Sequence, residues 1–217
     1  MLPTDEYYIQ KLIDEGEHVH QDFKFAISDA RKIAKSISAF SNTEGGRLLV
    51  GVKDNGKIAG VRSEEEIYMI EAAAKMYCLP EVNISNKIYR VQGKDILEVT
   101  IEESKNKPIY AIDENNKPWA YVRIKDENIL ADTVFLNRWK HNKQEEKVIV
   151  TYSEREKHLL NIMDKYGELT LNKCSKLSDI PRTTTSRLLA DFIRFGLVEQ
   201  VFREHTFYFK LKDDITP

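Results

Sequence analysis

The run SAFSNTEGGRLLVGVKDNGKIAGV, residues 38–61, restricts the fold more than any other part of this sequence. Ahead of it, Ala30, Ile33, Ile37 and Phe40 recur three or four residues apart, which predicts a helix with one apolar face opened by Ser28 or Asp29. Gly45 and Gly46 then supply the positive-φ positions of a helix exit, and RLLVGV reads as an apolar strand. Asp54-Asn55-Gly56 is a hairpin signal, with KIAGV as the returning strand. Nucleotide folds need the opposite order, strand then glycine loop then helix, so that free helix amides meet the phosphate. Neither GxGxxG nor GxxxxGK[ST] occurs, so the passage reads as a chain reversal and no ATP or dinucleotide site is expected.

A length of 217 residues with 41% apolar content suits one large and one small domain. The net charge of -2 gives no strong global field, so any nucleic-acid site has to be a local patch. Cys78 and Cys174 are far apart and lack metal-ligand spacing, which points to two buried apolar fillers in a reducing compartment. The sequence shows no signal segment and no apolar run long enough to cross a bilayer, so a cytoplasmic protein with no membrane partner is expected.

Flanking segments extend the pattern. Thr4 opens a short helix carrying Tyr8, Ile9, Leu12 and Ile13, and EGEHVHQDFKF reads as a strand with Phe23 and Phe25 inward. Ser63 and Glu66 form a capping box for a helix ending near Tyr77. Residues 83–104 make two strands about Gly93-Lys94, and PIYAIDENNKPWAYVRI makes another hairpin. The fold class is α+β, with a mixed, mostly antiparallel sheet in a domain at 1–140. HNKQEEK, 141–147, is the expected linker.

A second pattern fills 148–217. A capping box at Ser153 and Glu156 starts a helix with Leu159, Leu160, Ile162, Met163 and Tyr166. LTLNKCSKLS is a shorter helix, and PRTTTSRLLADFIRFG is a third with Leu188, Leu189, Phe192 and Phe195 inward. LVEQVF and TFYFKL form a hairpin about REH. Three helices followed by a ribbon is the order of a winged helix-turn-helix. Its third helix would present Arg182, Thr183, Thr184, Thr185 and Arg187 to a major groove, with Arg203 and His205 at the wing tip. A winged helix used only for protein contacts or dimerisation is the alternative.

EHVHQDFKF, the glycine run and PWAYVRI together resemble the Schlafen-type AlbA_2 domain, over roughly residues 10 to 135. The resemblance implies a nucleic-acid-binding α+β domain, in bacteria often followed by a winged helix in proteins taken as transcriptional regulators. It also implies a possible divalent-metal nuclease centre, whose three carboxylates map to Glu17, Asp22 and Asp54. Read from the residues themselves, two carboxylates near a strand start and a third after the glycine strand would suit Mg²⁺ or Mn²⁺. Asp22 stands where the family usually has glutamate, which shortens that reach. No other cofactor is expected. His18 and His20 alternate on the same segment, a weak transition-metal pattern. Lys24, Arg47, Lys53 and Arg123 are expected on strands of one sheet, either as a basic face for phosphates or as solvated residues paired with Glu17 or Asp22. The leading expectation is a homodimeric regulator that binds double-stranded DNA. Its rivals are a metal-dependent nuclease and a non-enzymatic assembly module.

Overall fold

A computed structural model of the chain describes residues 4–141 and 153–212, so nearly all of the expected linker lies outside the described residues. The chain divides into two compact units, Met1–Leu130 and Ala131–Pro217.

The first unit opens with α1 (Asp5–Glu15), whose first turn is capped by the Thr4 hydroxyl accepting from Tyr7 N. β1 (Gln21–Lys24) follows, then α2 (Ala30–Asn42), capped by Asp29 accepting from Arg31 N. β2 (Gly46–Val50) leads to α3 (Glu64–Met76) and the two-residue β3 (Cys78–Leu79). β4 (Ile84–Val91) and β5 (Lys94–Ile101) form the hairpin expected about Gly93-Lys94. β6 (Tyr110–Ile112), β7 (Pro118–Ile124) and β8 (Glu127–Leu130) join β3 in the second sheet.

The main sheet has the order β1-β2-β5-β4, with β1 parallel to β2 and the remaining pairs antiparallel. Strand alternation sends Leu48, Val50, Leu97, Val99 and Ile101 into a core with α2 and α3, while Phe23, Leu49 and Ile96 meet Ile9 and Leu12 of α1 on the other face. The smaller sheet runs β3-β6-β7-β8. Towards it α2 turns its small polar residues: Ser38 Oγ donates to the Ile109 carbonyl at 2.7 Å, and Asn128 Nδ2 donates to Ser36 Oγ at 2.9 Å.

Three expectations need correction here. KIAGV forms no strand: only Val52 and Ile58 bridge, because Ala59 N and Gly60 N both donate to the Gly51 carbonyl and pull the chain across the end of β2. Phe25 is not inward; it lies beyond β1 and is 39% exposed. Ser63 makes no side-chain cap, and the buried Glu66 instead accepts from Arg62 N and Ile27 N, pinning the approach to α3 against the loop before α2.

The second unit begins with a helix that the apolar spacing did not reveal, α4 (Thr133–His141), whose first amides at Val134 and Phe135 donate to Asp132 Oδ1. After it come α5 (Glu154–Tyr166), β9 (Leu169–Thr170), α6 (Leu171–Ser178), α7 (Arg182–Arg194), β10 (Val198–Arg203) and β11 (Thr206–Leu211). Val134 shares a core with Leu159, Met163, Cys174, Leu189, Phe192 and Phe209. α4 therefore packs with the second unit, although it precedes the polar segment expected to divide the chain. The wing is three-stranded, ordered β10-β11-β9, and turns at Glu204 and His205 in left-handed conformation. Both cysteines are free and buried, and burial pushes each thiol up to about 12.

Candidate nucleic-acid interface

The expected basic face of the first unit separates into two kinds of site. Arg123 on β7 is 3% exposed. Its guanidinium donates to the carbonyls of His18 and Gln21 and to Asn128 Oδ1, and lies 3.4 Å from Asp22 Oδ1. Every direction of the planar fork is used, so Arg123 braces the segment before β1 and is closed to a phosphate. Arg47 is half-buried: Nη1 reaches Glu98 Oε1 and the Tyr8 hydroxyl. Glu98 also accepts from Tyr8 and Tyr89, and burial followed by this carboxylate pushes the Tyr8 phenol up to about 12. Lys24 lies 2.5 Å from Asp22 Oδ2 and donates to its neighbour's carbonyl. Of the four cations only Lys53 is exposed.

Two of the three mapped carboxylates meet. Glu17 Oε1 accepts from Phe23 N at 2.8 Å, and burial, then the hydrogen bond and charge of Asp22, push the Glu17 carboxyl above its ordinary range. Asp54 stands exposed in the turn after β2. Among the described residues no group of three or more His, Cys, Asp or Glu side chains is arranged to hold a metal ion. The expected metal triad is thus not assembled, because Asp22 is tied to Lys24 and Arg123 while Asp54 is carried past the sheet by the reversal. His20 faces Glu44, with Nε2 3.3 Å from Oε2, and not a shared metal position with His18.

In the second unit, Pro181 and the left-handed Asp179 set the turn between α6 and α7. Arg182, Thr183 and Arg187 are exposed on the start of α7, with Thr184 half-exposed. Arg182 Nε donates to Asn172 Oδ1 at 2.9 Å, which orients its guanidinium across the turn. Thr185 corrects the sequence reading: it is fully buried, and its hydroxyl donates to the Ile180 carbonyl at 3.1 Å. The signal was present, since Thr185 precedes Leu189 by four residues and Phe192 by seven, on the buried stripe. Arg203 is exposed at the wing and pairs with Glu168 at 2.6 Å.

The family model described as Schlafen, AlbA_2 matches residues 17–132, more than half of the sequence. The chain belongs to the Schlafen AlbA_2 family. Its AlbA_2 domain is followed by a match to the IclR helix-turn-helix domain at 158–201, which runs from within α5 into β10. No curated protein matches the chain. Among solved structures, a Corynebacterium diphtheriae protein is similar at 18% identity over 68% of this chain, with a TM-score of 0.43. This AlbA_2 chain spans 30% of the length of that structure. The N-terminal domain of a RecG-related protein of Nitrosomonas europaea is similar at 17% identity, covering 70% of this chain and 99% of that one, with a TM-score of 0.43. A transcriptional regulator is similar over 37% of this chain and 56% of its own, at 17% identity and a TM-score of 0.27. Among the described residues of this AlbA_2 protein, no helix is long and apolar enough to cross a membrane.

Sequence reasoning missed two contributors. Phe25 and Arg62 stand beside Lys53 beyond the ends of β1 and β2, with Lys53 Nζ 4.9 Å and Arg62 Cζ 4.5 Å from the Phe25 ring centre. Two basic residues drawn to one aromatic ring from later in the chain leave no periodic trace.

Proposed function

We propose that the chain is a transcriptional regulator that reads double-stranded DNA through its winged helix, in the cytoplasm and as a homodimer, without a metal or other cofactor. The observation that carries this reading is the composition of the exposed start of α7: Arg182, Thr183 and Arg187 project from the turn that a helix-turn-helix lays into the major groove. Arginine suits guanine O6 and N7, and the threonine hydroxyl suits a phosphate or a base edge. Arg203 on the wing adds a cation for the flanking backbone. A two-fold dimer would place two such helices on a palindromic site.

Fluorescence polarisation against labelled duplex DNA at several salt concentrations tests the reading. Binding should weaken linearly in log-log form as salt rises, with a slope near -0.9 for each phosphate neutralised. Arg182→Ala and Arg187→Ala should each weaken it, and light scattering should give a dimer on the DNA. Salt-insensitive association, or none, would remove the DNA reading and favour an assembly role.

A further inference from the structure

We propose that Phe25, Lys53 and Arg62 form a second nucleic-acid contact, a preorganised clamp for the phosphodiester backbone on the AlbA_2 domain. This rests on the nucleic-acid reading above but places a contact in the other unit.

The clamp arises from the topology. β1 and β2 are parallel, with Lys24 opposite Val50, so both chains leave the sheet on the same side. Gly51 N donates to the Lys24 carbonyl at 2.8 Å, and the chain turns at a φ of +92°. The Gly51 carbonyl then receives Ala59 N and Gly60 N, which returns the strand end to Arg62. A Cβ on Gly51 would sit 2.8 Å from the Gly60 carbonyl carbon, so this close crossing requires glycine. Three points within a span of under forty residues therefore deliver one exposed ring and two exposed cations to one place.

The ring orders the cations. Each sits within about 6 Å of its centre, the range of a cation–π contact. Lys53 and Arg62 consequently lie within roughly 10 Å of each other, about one Debye length at moderate salt, so their fields add at an approaching anion. Lys57 adds a third exposed cation across the turn, its carbonyl accepting from Lys53 N at 3.1 Å. Asp54 is the acid within the turn, while Glu64, Glu71 and Asp95 line the groove beside Arg62 and Glu66 accepts from its backbone N. Lys53 and Lys57 therefore carry the positive excess at the turn, whereas Lys24 and Arg47 are held by Asp22 and Glu98. Long cationic side chains fixed in advance lose less freedom on binding.

The test is a salt titration of the full chain against labelled duplex DNA and single-stranded DNA, comparing wild type with Lys53→Gln/Arg62→Gln, Phe25→Leu and Arg187→Ala. For whichever probe reaches the clamp, the double variant should flatten the log-log slope by about 1 to 2, at roughly 0.7 to 0.9 per lost phosphate contact. The flattening should add to that of Arg187→Ala. Phe25→Leu should keep the slope and weaken binding about three- to tenfold at fixed salt. An unchanged slope in the double variant, with Arg187→Ala still impaired, would overturn the clamp and leave the winged-helix reading standing. Unchanged affinity in Phe25→Leu would overturn the ordering role of the ring. Absence of binding by wild type would overturn both readings.

Discussion

Asn42 and Ile109 exchange hydrogen bonds: Asn42 Oδ1 accepts from Ile109 N at 2.7 Å, and Asn42 Nδ2 donates to the Ile109 carbonyl at 2.8 Å. The same amide nitrogen also reaches the Tyr121 carbonyl at 2.9 Å. One side chain at the end of α2 thus stitches both the strand start before β6 and the middle of β7. Asn42→Asp would turn a buried donor facing two carbonyls into an acceptor. We expect it to lower unfolding free energy by about 3 kcal/mol or more, read from the urea midpoint, with Asn42→Ala less severe.

Arg123 makes a related prediction. Removing it leaves Asp22 buried beside a vacated site and frees the carbonyls of His18 and Gln21. Arg123→Met should cost about 3 to 5 kcal/mol, and Arg123→Lys should recover only part of it because an ammonium cannot reproduce the planar fork. Urea denaturation gives the ranking.

Glu17 gives the chain a pH signature. Because burial and Asp22 raise its folded value above the ordinary 4.5, the folded state holds this proton more tightly than the unfolded chain does. Its stabilising effect is complete below 4.5 and is lost as pH rises through the raised value. Glu17→Gln retains an acceptor for Phe23 N and a donor towards Asp22 at every pH. The variant should melt higher than wild type at pH 7, with the gap closing towards pH 4. Paired thermal melts across this range would show it, and a gap constant with pH would refute the assignment.

Neighbouring residues on α7 should behave oppositely. Thr185→Val removes a buried hydroxyl bonded to the Ile180 carbonyl and should cost about 1 kcal/mol of stability with DNA affinity little changed. Arg187→Ala should leave the melting temperature alone and lower DNA affinity about tenfold. Melting and polarisation on the same samples separate the two.

Chelation supplies a further check. The described residues bring no metal-holding set together, so EDTA should change duplex binding by less than twofold when ionic strength is matched. A larger loss would show a metal contribution.

The parts of this fold legible in the sequence are those with local periodicity. The helix ending at Asn42, the exit at Gly45 and the apolar strand after it follow from spacing and positive-φ demand, as do the three helices and ribbon of the second unit; Gly46 instead lies in the strand without positive φ, where a Cβ would strike the Phe40 ring. What stayed hidden depends on contacts between distant segments. Nothing in PWAYVRI marks Arg123 as internal, because its partners are carbonyls a hundred residues earlier. KIAGV alternates like a strand, yet Gly51 captures it before it can pair. α4 is short, and its apolar residues alternate between the core and a ring stack in which Phe135 meets Trp139 at 5.6 Å and Phe207 at 5.5 Å. Phe25 would face inward only if strand alternation continued, and pairing ends one residue earlier at Lys24.

The allegiance of α4 bears on how this molecule is cut into pieces, in the laboratory or by recombination. A fragment begun at residue 148 would expose the wing ring of Phe207, strip Val134 from the core and leave Gln200 without the Asp132 carboxylate that accepts from it at 3.0 Å. A fragment begun at 131 carries its own lid helix and cap. The transferable cassette is thus longer than a helix-turn-helix match suggests, and its seam falls immediately after the AlbA_2 sheet.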